Sequence, residues 1–558
     1  SRASPTTTTT TTSPADGAAT HQRSEAQDRI PCDVFERPEW RARLASLTEM
    51  SLARCGLRAL SPDIAACVNL VKLDLAHNDL VTLPDALATL PKLEILFVLG
   101  SRRMVDMPRV LSKLTTVTRL GLRSNGIERV VAAGLPPHVE HLILTDNKIH
   151  VIEDAAYAKL ARCRKLMLAN NRLTAFTGGA DPATNLASLE LVRLANNDLR
   201  DLAVDVLRLP RLSWIALAGN PMLLLDAASS QAPHVAQQRT STTTVPPPPP
   251  LERVGWGDVD FGEDPKHLGS GASGVVRQAL YRGKAVAVKR LQDRGSDGRA
   301  VDEIATIDAL FGGGGAAADP QGGGGAGDAG VVGEPPASLV STLAVVRPTR
   351  VDDDTAVPRA NGHSAAAAEE ARRSWGLVLE LLPSGVRDLA KPPTIVEVTR
   401  DRYGEAERFA PRVVAHVLAG VARALRYLHA HRVQHGDVYA HNILVDDATH
   451  TVKLGDLGAA FSYAGLLGGR HRGRVAARRD SVEDGVAALF EKIEVRAFGV
   501  LVAELTKRLA YASPLDEPLA ALAADCLGAD VARRPTFAAI QPVLDRLERD
   551  LAVAAADD

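Results

Sequence analysis

The 558-residue sequence predicts a multidomain protein, in which an α/β solenoid of stacked repeats precedes a second block of strands and helices. Three observations lead to this prediction. A leucine pattern recurs in phase through residues 42–225, and a polar, proline-rich linker follows at 226–254. Residues 255–553 then alternate strand-like and helix-like patterns, which is typical of a separate domain.

Low-complexity segments lie beside and within these blocks. Residues 1–41 are rich in Ser and Thr and are predicted to be disordered, because such a composition cannot bury a core. Two further tracts, near 312–337 and 348–372, are predicted to be surface insertions in the second block.

Charge and cysteine usage exclude several classes of protein. Lys plus Arg number 65 and Asp plus Glu number 67, so the net charge of −2 predicts no nucleic-acid binding through bulk charge. No run of 18 apolar residues is present, which predicts no membrane span. The five cysteines are scattered and lack a CxxC pair, so neither a disulfide framework nor a zinc site is expected. Together with the absence of N-glycosylation sequons, this pattern favours a cytoplasmic location.

The first block contains eight copies of the pattern LxxLxLxxN/CxL, spaced 22 to 26 residues apart. An ordinary leucine-rich helical domain is the alternative, but eight copies in phase favour a solenoid, since one unit cannot cover its apolar face alone. The LxL core predicts a short strand, and the Asn slot predicts a side chain that bonds backbone groups of the inner turn. That slot holds Cys55, Asn78, Ser101, Asn125, Asn147, Asn171, Asn197 and Asn220.

This block resembles the leucine-rich-repeat family. The resemblance implies a curved solenoid whose concave strand face binds a protein ligand. The sequence does not identify that ligand.

The second block begins with a glycine pattern, LGSGASGVV, at residues 268–276. Glycines let the backbone approach phosphates closely, although such a pattern also fits a dinucleotide-binding turn. The residues that follow favour two strands around a Tyr-Arg-Gly-Lys turn, whereas a dinucleotide fingerprint would continue into a helix.

A lysine follows inside an apolar strand, at the end of AVAVK (285–289). Such a lysine needs an anionic partner, because an unpaired buried charge is costly. Glu303, on a predicted helix 14 residues later, is the favoured partner of Lys289, with Asp302 as the alternative.

The stretch YLHAHRVQHGDVYAHNILVDDATHTVKLGDLGAAF, residues 427–461, carries the most specific signal. Two predicted strands deliver Asp437, Asn442 and Asp456 to one end of a hairpin. Capping of turns is the alternative role for these residues. Their order after the glycine loop and the strand lysine instead favours phosphoryl transfer, in which one carboxylate orients a hydroxyl while an amide and another carboxylate hold Mg²⁺.

The second block resembles the eukaryotic-type protein kinase family. The resemblance implies an α+β bilobal fold, ATP and Mg²⁺ as cofactors, and a protein substrate. It implies that Asp437, Lys289 and Asn442 are catalytic and that Asn442 and Asp456 bind the metal. The implied nucleotide-binding positions are Leu268, Gly269, Ser270, Gly271, Ala272, Ser273, Gly274, Val276, Ala287, Lys289, Glu303, Glu380, Leu382 and Leu444.

Some positions depart from the family pattern. Gly436 stands where an arginine is usual, Tyr439 replaces a lysine, and Glu494 replaces an aspartate. His441 occupies a position where many tyrosine kinases carry arginine, so one cation near the transferred phosphate is missing or replaced. These departures leave two hypotheses open. The leading one is an ATP-dependent Ser/Thr protein kinase targeted by its repeat domain, and the alternative is a pseudokinase-like scaffold that binds nucleotide or proteins.

Overall fold

The computed structural model describes residues 30–223, 251–262, 264–271, 274–295, 297–312, 335–348, 374–446, 449, 451–464, 466 and 479–554, without the side chains of 479–484 and 554. The predicted insertions and linker, Ala272 and Ser273 therefore lie largely or wholly outside the described residues. Among these residues, no helix has the length and apolar character that crossing a membrane requires.

The repeat domain is a solenoid built on a parallel sheet of eight strands, in the order β1-β2-β3-β4-β6-β8-β9-β10. The middle residue of each strand points into the leucine core, and its two neighbours lie on the concave face. The strands are β1 (Glu49–Ser51), β2 (Lys72–Asp74), β3 (Ile95–Phe97), β4 (Arg119–Gly121), β6 (His141–Ile143), β8 (Lys165–Met167), β9 (Leu191–Arg193) and β10 (Trp214–Ala216), with a small pair β5 (Arg129–Val130) and β7 (Val151–Ile152) beside them.

The opposite side of the solenoid is made of single turns. Each repeat returns to the next strand through one such short element. The helices are α2 (Asp154–Tyr157), α3 (Pro182–Asn185) and α4 (Val204–Leu207), and the 3₁₀ turns are Pro62–Ala66, Asp85–Thr89, Arg109–Lys113, Ala132–Gly134 and Pro221–Leu223.

The asparagine slots hold the inner turns together. Asn171, for example, donates to the carbonyls of Leu144 and Leu168, both at 2.9 Å, and accepts from the amide of Ile149 at 2.9 Å. Each amide therefore ties its own repeat to the preceding one, as the pattern predicts.

The N-terminal boundary differs from the prediction. Residues 30–41 are not wholly irregular, because α1 (Pro38–Leu44) covers the open apolar end of the first repeat with Trp40 and Leu44. Cys32 is disulfide-bonded to Cys55, so the expectation drawn from scattered cysteines is wrong for this pair. The sequence does not reveal that the cap folds back on the first repeat, which is what brings the two thiols together.

The second domain has the expected two lobes. Its first lobe is a mainly antiparallel sheet with order β11-β16-β17-β15-β14-β12, with β13 added onto β14 and one helix packed against the sheet. The strands are β11 (Arg253–Val254), β12 (Val259–Asp260), β13 (His267–Gly271), β14 (Gly274–Tyr281), β15 (Lys284–Leu291), β16 (Thr342–Val346) and β17 (Gly376–Glu380); the helix is α5 (Ala300–Phe311), and Trp256–Asp258 is a 3₁₀ turn. β11 pairs in parallel with β16, so this sheet takes in the end of the predicted linker.

The second lobe is mainly helical. Its helices are α6 (Pro411–Ala430), α7 (Arg479–Thr506), α8 (Asp516–Leu527) and α9 (Phe537–Ala554). Two small sheets accompany these helices. One consists of β18 (Arg387–Asp388), β20 (Ile443–Asp446) and β21 (Thr451–Leu454), and the other of β19 (Val433–Gln434) and β22 (Phe461–Ser462). Further 3₁₀ turns are Ala440–Asn442, Leu457–Ala459 and Val531–Arg533.

The two domains share their apolar cores. Leu191 and Trp214, on the concave face of the solenoid, belong to the core of the second domain. Phe461 and Phe490 of the second domain pack in turn with the leucines of the repeats. The concave face around β8, β9 and β10 is therefore covered by the second domain.

Candidate active site

Lys289 lies on β15 and joins the two lobes through its ammonium group. Its Nζ is 2.8 Å from Glu303 Oε1 on α5 and 3.0 Å from Asp456 Oδ1. Burial would lower the pKa of Lys289, but the carboxylates of Asp456 and Glu303 outweigh burial and hold that pKa above its ordinary value. The alternative partner, Asp302, binds the Arg299 side chain instead.

The loop between β19 and β20 carries Asp437 and Asn442. Asn442 Nδ2 donates to the Asp437 backbone oxygen at 2.8 Å and to its Oδ2 at 3.1 Å, so the amide fixes the orientation of the carboxylate. His435 Nε2 lies 3.0 Å from the Gly455 carbonyl, and the Gly455 amide donates to the Asn442 carbonyl at 2.9 Å. These bonds connect the loop directly to the segment that presents Asp456.

Two buried carboxylates, those of Glu494 and Asp401, bind the backbone of this loop. Glu494 on α7 accepts from the amides of His435 at 3.2 Å and Gly436 at 2.8 Å, so the longer side chain still reaches the loop backbone. Asp401 accepts from the Ala440 amide at 2.5 Å and from His441 Nδ1 at 2.6 Å. Burial would lower the pKa of His441, but the bond to Asp401 outweighs it and raises that pKa.

The glycine pattern forms the β13–β14 hairpin over the cleft. At Gly274 an added Cβ would lie 2.1 Å from the Arg290 carbonyl oxygen, so only glycine lets the hairpin pair with β15 at this point. Val276 pairs with Lys289 across the sheet, while Leu268, Ser270 and Gly271 are exposed and Gly269 is half-buried.

The remaining positions predicted to bind nucleotide lie on β15, on or just after β17, and on β20. Ala287 is buried on β15, and Leu382 and Leu444 are half-buried. Glu380 does not present a free carboxylate, because its Oε1 accepts from Lys453 Nζ at 2.6 Å and from the Ser341 amide at 2.7 Å.

The chemistry of these side chains fits a nucleoside triphosphate with Mg²⁺. The Asp456 side chain is 40% exposed. Asn442, whose side chain carries an amide oxygen, lies close by, because its backbone carbonyl accepts from the Gly455 amide at 2.9 Å. In the part of the chain that the structure describes, no three His, Cys, Asp or Glu side chains cluster as metal ligands. A Mg²⁺ ion held by Asp456 and Asn442 would therefore need phosphate oxygens and water to complete its octahedron, as is usual for this metal.

Sequence reasoning missed an arginine that comes from the repeat domain. Arg193, at the end of β9, places Nη2 2.5 Å from Asp437 Oδ1 and Nε 3.2 Å from Asp297 Oδ1. Its Nη1 donates to the Gly436 carbonyl at 3.3 Å. Burial would raise the pKa of Asp437, but the charge of Arg193 outweighs it and holds that pKa below its ordinary value.

Trp214 on β10 was missed as well. Its ring stacks on Tyr439 with centroids 4.3 Å apart, and its Nε1 donates to the Val438 carbonyl at 2.9 Å. A signal was present in the sequence, because Trp214 occupies a concave-face position of the repeat template, where a large apolar ring needs a partner.

A third contact lies beside the active-site loop and does not touch it. Glu190, only 4% exposed, accepts from Thr399 Oγ1 at 2.6 Å and from Arg400 Nη1 at 2.8 Å. Arg164 lies 3.3 Å from the same carboxylate and donates to Thr399 Oγ1 at 2.9 Å. The repeats thus bind the second domain through buried, charge-assisted hydrogen bonds.

Comparison with known families agrees with this geometry. Residues 368–466 match the family described as protein kinase domain, and residues 69–90 match the family described as leucine rich repeat. The chain therefore contains a protein kinase domain and a leucine-rich repeat. Its kinase domain is the bilobal second domain, and the loop between β19 and β20 is hereafter the catalytic loop.

Two individual proteins are similar to part of this chain. Leucine-rich repeats and immunoglobulin-like domains protein 1 of Homo sapiens is 27% identical over 179 residues, which are 32% of this chain and 16% of that protein. The crystal structure of internalin C2 from Listeria monocytogenes shares 24% identity over 32% of this chain and 75% of its own, with a TM-score of 0.28. This chain thus spans well under two thirds of the length of the human relative.

Proposed function

We propose that the protein is an ATP-dependent protein kinase that transfers the γ-phosphoryl group to Ser and Thr hydroxyls of proteins. The observation that carries the proposal is Lys289, whose ammonium group lies 2.8 Å from Glu303 and 3.0 Å from Asp456. A buried lysine held between a helix carboxylate and a cleft carboxylate is the arrangement that phosphoryl transfer needs in this family.

Each polar side chain of the cleft has a role in this proposal. ATP would supply the phosphoryl group, and Mg²⁺ would neutralise charge on the phosphates. Lys289 binds the α- and β-phosphate oxygens, while Asn442 and Asp456 hold the metal. Asp437 orients the substrate hydroxyl and accepts its proton as the oxygen bonds to phosphorus and the bond to the leaving ADP oxygen breaks.

A pseudokinase-like scaffold is the second candidate, and one observation favours it. The side chain usual at position 439 is a lysine, whereas Tyr439 is buried and stacked on Trp214, so it offers no cation to the transferred phosphate. Specificity for Ser and Thr follows from the commonest behaviour of the family. A cytoplasmic location stays a prediction, and the Cys32–Cys55 disulfide weakens the reasoning from a reducing compartment.

The test compares the full-length wild type with Lys289→Met and with the matched control Lys284→Met, which changes an exposed lysine of the same strand. Phosphate transfer from radiolabelled Mg-ATP to dephosphorylated casein is measured, followed by phosphoamino-acid analysis. We expect Lys289→Met to lose about 100-fold or more in rate, since a charge that stabilises the transition state is removed. The control should match the wild type.

Transfer by Lys289→Met at the wild-type rate would contradict the proposed role of this lysine. Phosphotyrosine as the sole product would contradict the proposed specificity. Nucleotide binding without transfer by any form would favour the scaffold.

A further inference from the structure

The concave face of the repeats meets the kinase domain at its catalytic loop. Three adjacent strands contribute, with Met167 of β8, Leu191 of β9 and Trp214 of β10 packed into the kinase core. Leu191 and Trp214 are each no more than 2% exposed. This part of the face therefore already has an occupant of defined chemistry, which is the catalytic loop of the same chain.

The contact engages the proposed catalytic base itself. Asp437 accepts from Arg193 on Oδ1 and from Asn442 on Oδ2, and its side chain is 19% exposed. A substrate hydroxyl must come within hydrogen-bond distance of this carboxylate before transfer. Both oxygens of the carboxylate therefore already have a donor, and the guanidinium of Arg193 occupies Oδ1, where a substrate hydroxyl could bind.

The contact also covers the backbone on both sides of Asp437. The Val438 carbonyl accepts from Trp214, and the Tyr439 ring is 6% exposed beneath the indole. Gly436 has φ +77°, and an added Cβ would lie 2.9 Å from the Ile215 carbonyl of β10 and 2.8 Å from the Ala459 carbonyl. The glycine that replaces the usual arginine therefore makes room for the repeat backbone.

We infer that the repeat domain is an intramolecular inhibitor of its own kinase domain, in which Arg193 blocks Asp437 and Trp214 covers the adjacent loop. The inference rests on the proposed function, because inhibition requires an active kinase. The closed and open arrangements form a two-state equilibrium, and a protein ligand that takes the same concave face shifts it towards the open, active state. The ligand and the catalytic loop thus compete for one surface.

The alternative is that Arg193 assists catalysis by replacing the missing loop cation. Geometry favours inhibition, since all three guanidinium nitrogens of Arg193 bind protein oxygens and the residue is only 5% exposed. An arginine that served the transferred phosphate would need to face the nucleotide cleft, and it would leave the hydroxyl-binding side of Asp437 open.

Glu190 allows the two roles to be separated, because it holds the interface without contacting the catalytic loop. Three full-length variants are compared with the wild type: Arg193→Ala, Glu190→Ala and Arg193→Lys. Lys72→Ala is the matched control, since Lys72 is a cation on the same sheet that pairs only with Glu49 among the described contacts. Circular dichroism melting confirms that each variant is folded.

Two readouts are taken. The first is kcat/KM for casein with Mg-ATP, and the second is hydrogen–deuterium exchange of peptides that cover residues 434–442. Loss of one partner of a buried charge pair weakens an interface by about 30-fold or more, so we expect Arg193→Ala and Glu190→Ala each to raise kcat/KM by about tenfold or more. Exchange in the catalytic loop should rise in both, whereas Lys72→Ala should stay near the wild type. Arg193→Lys should lie between the wild type and Arg193→Ala, because it keeps the charge but not the three-nitrogen fork.

The outcomes distinguish this inference from the proposed function. A fall in kcat/KM for Arg193→Ala, with Glu190→Ala unchanged or lower, overturns inhibition and makes Arg193 a catalytic cation. Unchanged exchange in folded Arg193→Ala and Glu190→Ala overturns the docked contact. Raised exchange with no transfer by any form overturns both inhibition and the proposed function, while the contact itself stands. If Arg193→Ala fails to fold, Glu190→Ala decides alone.

Discussion

At the residue scale, charge in this active site is set by neighbours that lie far away in the sequence. Burial alone would lower the pKa of Lys289 and of His441, yet each has a carboxylate within 3 Å, and its pKa lies above the ordinary value. The charges of Asp437 and Asp456 also raise the pKa of His441, which makes this residue a candidate for the missing loop cation.

The His441–Asp401 pair predicts a pH-dependent stability. A histidine whose folded pKa lies above the ordinary value of 6.5 contributes its full stabilisation below that value and loses it as the pH rises through the folded pKa. The carboxylates that face the ring are Asp401, Asp437, Asp456 and Asp388. The wild type should therefore exceed His441→Gln in free energy of unfolding most at pH 6 and least at pH 9.

Denaturant titration at the two pH values measures this difference. In an Asp401→Asn background the pH dependence should largely disappear, because the strongest partner has lost its charge. An advantage that grows between pH 6 and pH 9 would show that His441 is neutral in the fold.

The residues of the site differ in how far the sequence could predict them. The side chain of Lys289 contacts Glu303 and Asp456, as the order of the motifs predicts. A lysine in an apolar strand needs carboxylate partners, and this requirement can be seen in the sequence. Arg193 was not predictable, since it lies 244 residues from Asp437 and sits in a repeat whose pattern specifies only its own core. The state of Cys32 was missed for the same reason, since only the packed cap brings it to Cys55.

At the scale of elements, the side-chain amides in the asparagine slots, hereafter the asparagine ladder, stabilise the solenoid more than any one strand does. Each strand is only three residues long, so its backbone bonds cannot hold the inner turn. The side-chain amides supply the missing partners, and the regular spacing of the slots allowed their place in the fold to be predicted. Ser101 is an exception, and its hydroxyl donates to the Asn78 carbonyl at 3.2 Å.

The ladder predicts a large effect for Asn171→Ala. The substitution removes the amide's bonds to Leu144, Leu168 and Ile149. The two carbonyls keep the side chains of Asn147 and Asn197 as donors, whereas the buried Ile149 amide loses its acceptor. Since one unpaired buried group costs about 1–3 kcal/mol and the bonds to the two carbonyls are lost as well, we expect a loss of about 2 kcal/mol or more in the free energy of unfolding.

Chemical denaturation of the full chain measures this loss. The matched control is Asn69→Ala, whose exposed amide bonds the Ala45 carbonyl and should cost no more than about 1 kcal/mol. Equal losses in the free energy of unfolding for the two variants would contradict the prediction that the buried Asn171 amide stabilises the fold more than the exposed Asn69 amide.

At the scale of the whole molecule, the proline-rich linker suggests independent domains, whereas the shared cores indicate a single cooperative unit. Trp214 packs in the kinase core and Phe490 packs in the repeat core, so neither domain keeps its full apolar burial if the other unfolds. The composition indicated a linker between two domains, but it did not indicate that the domains pack against each other. Domain docking depends on the complementarity of two surfaces, which no local sequence pattern records.

This coupling predicts one calorimetric unfolding transition for the full-length wild type, although multidomain chains often show several. Trp214→Ala should split it in two, because it removes both the stacking on Tyr439 and the hydrogen bond to the Val438 carbonyl across the interface. Trp256→Ala is the matched control, since that indole bonds the Ser374 carbonyl within the kinase domain, and it should lower the melting temperature without splitting the transition. Two separate transitions in the wild type would contradict the coupling and, with it, the closed arrangement in which the repeats cover the catalytic loop.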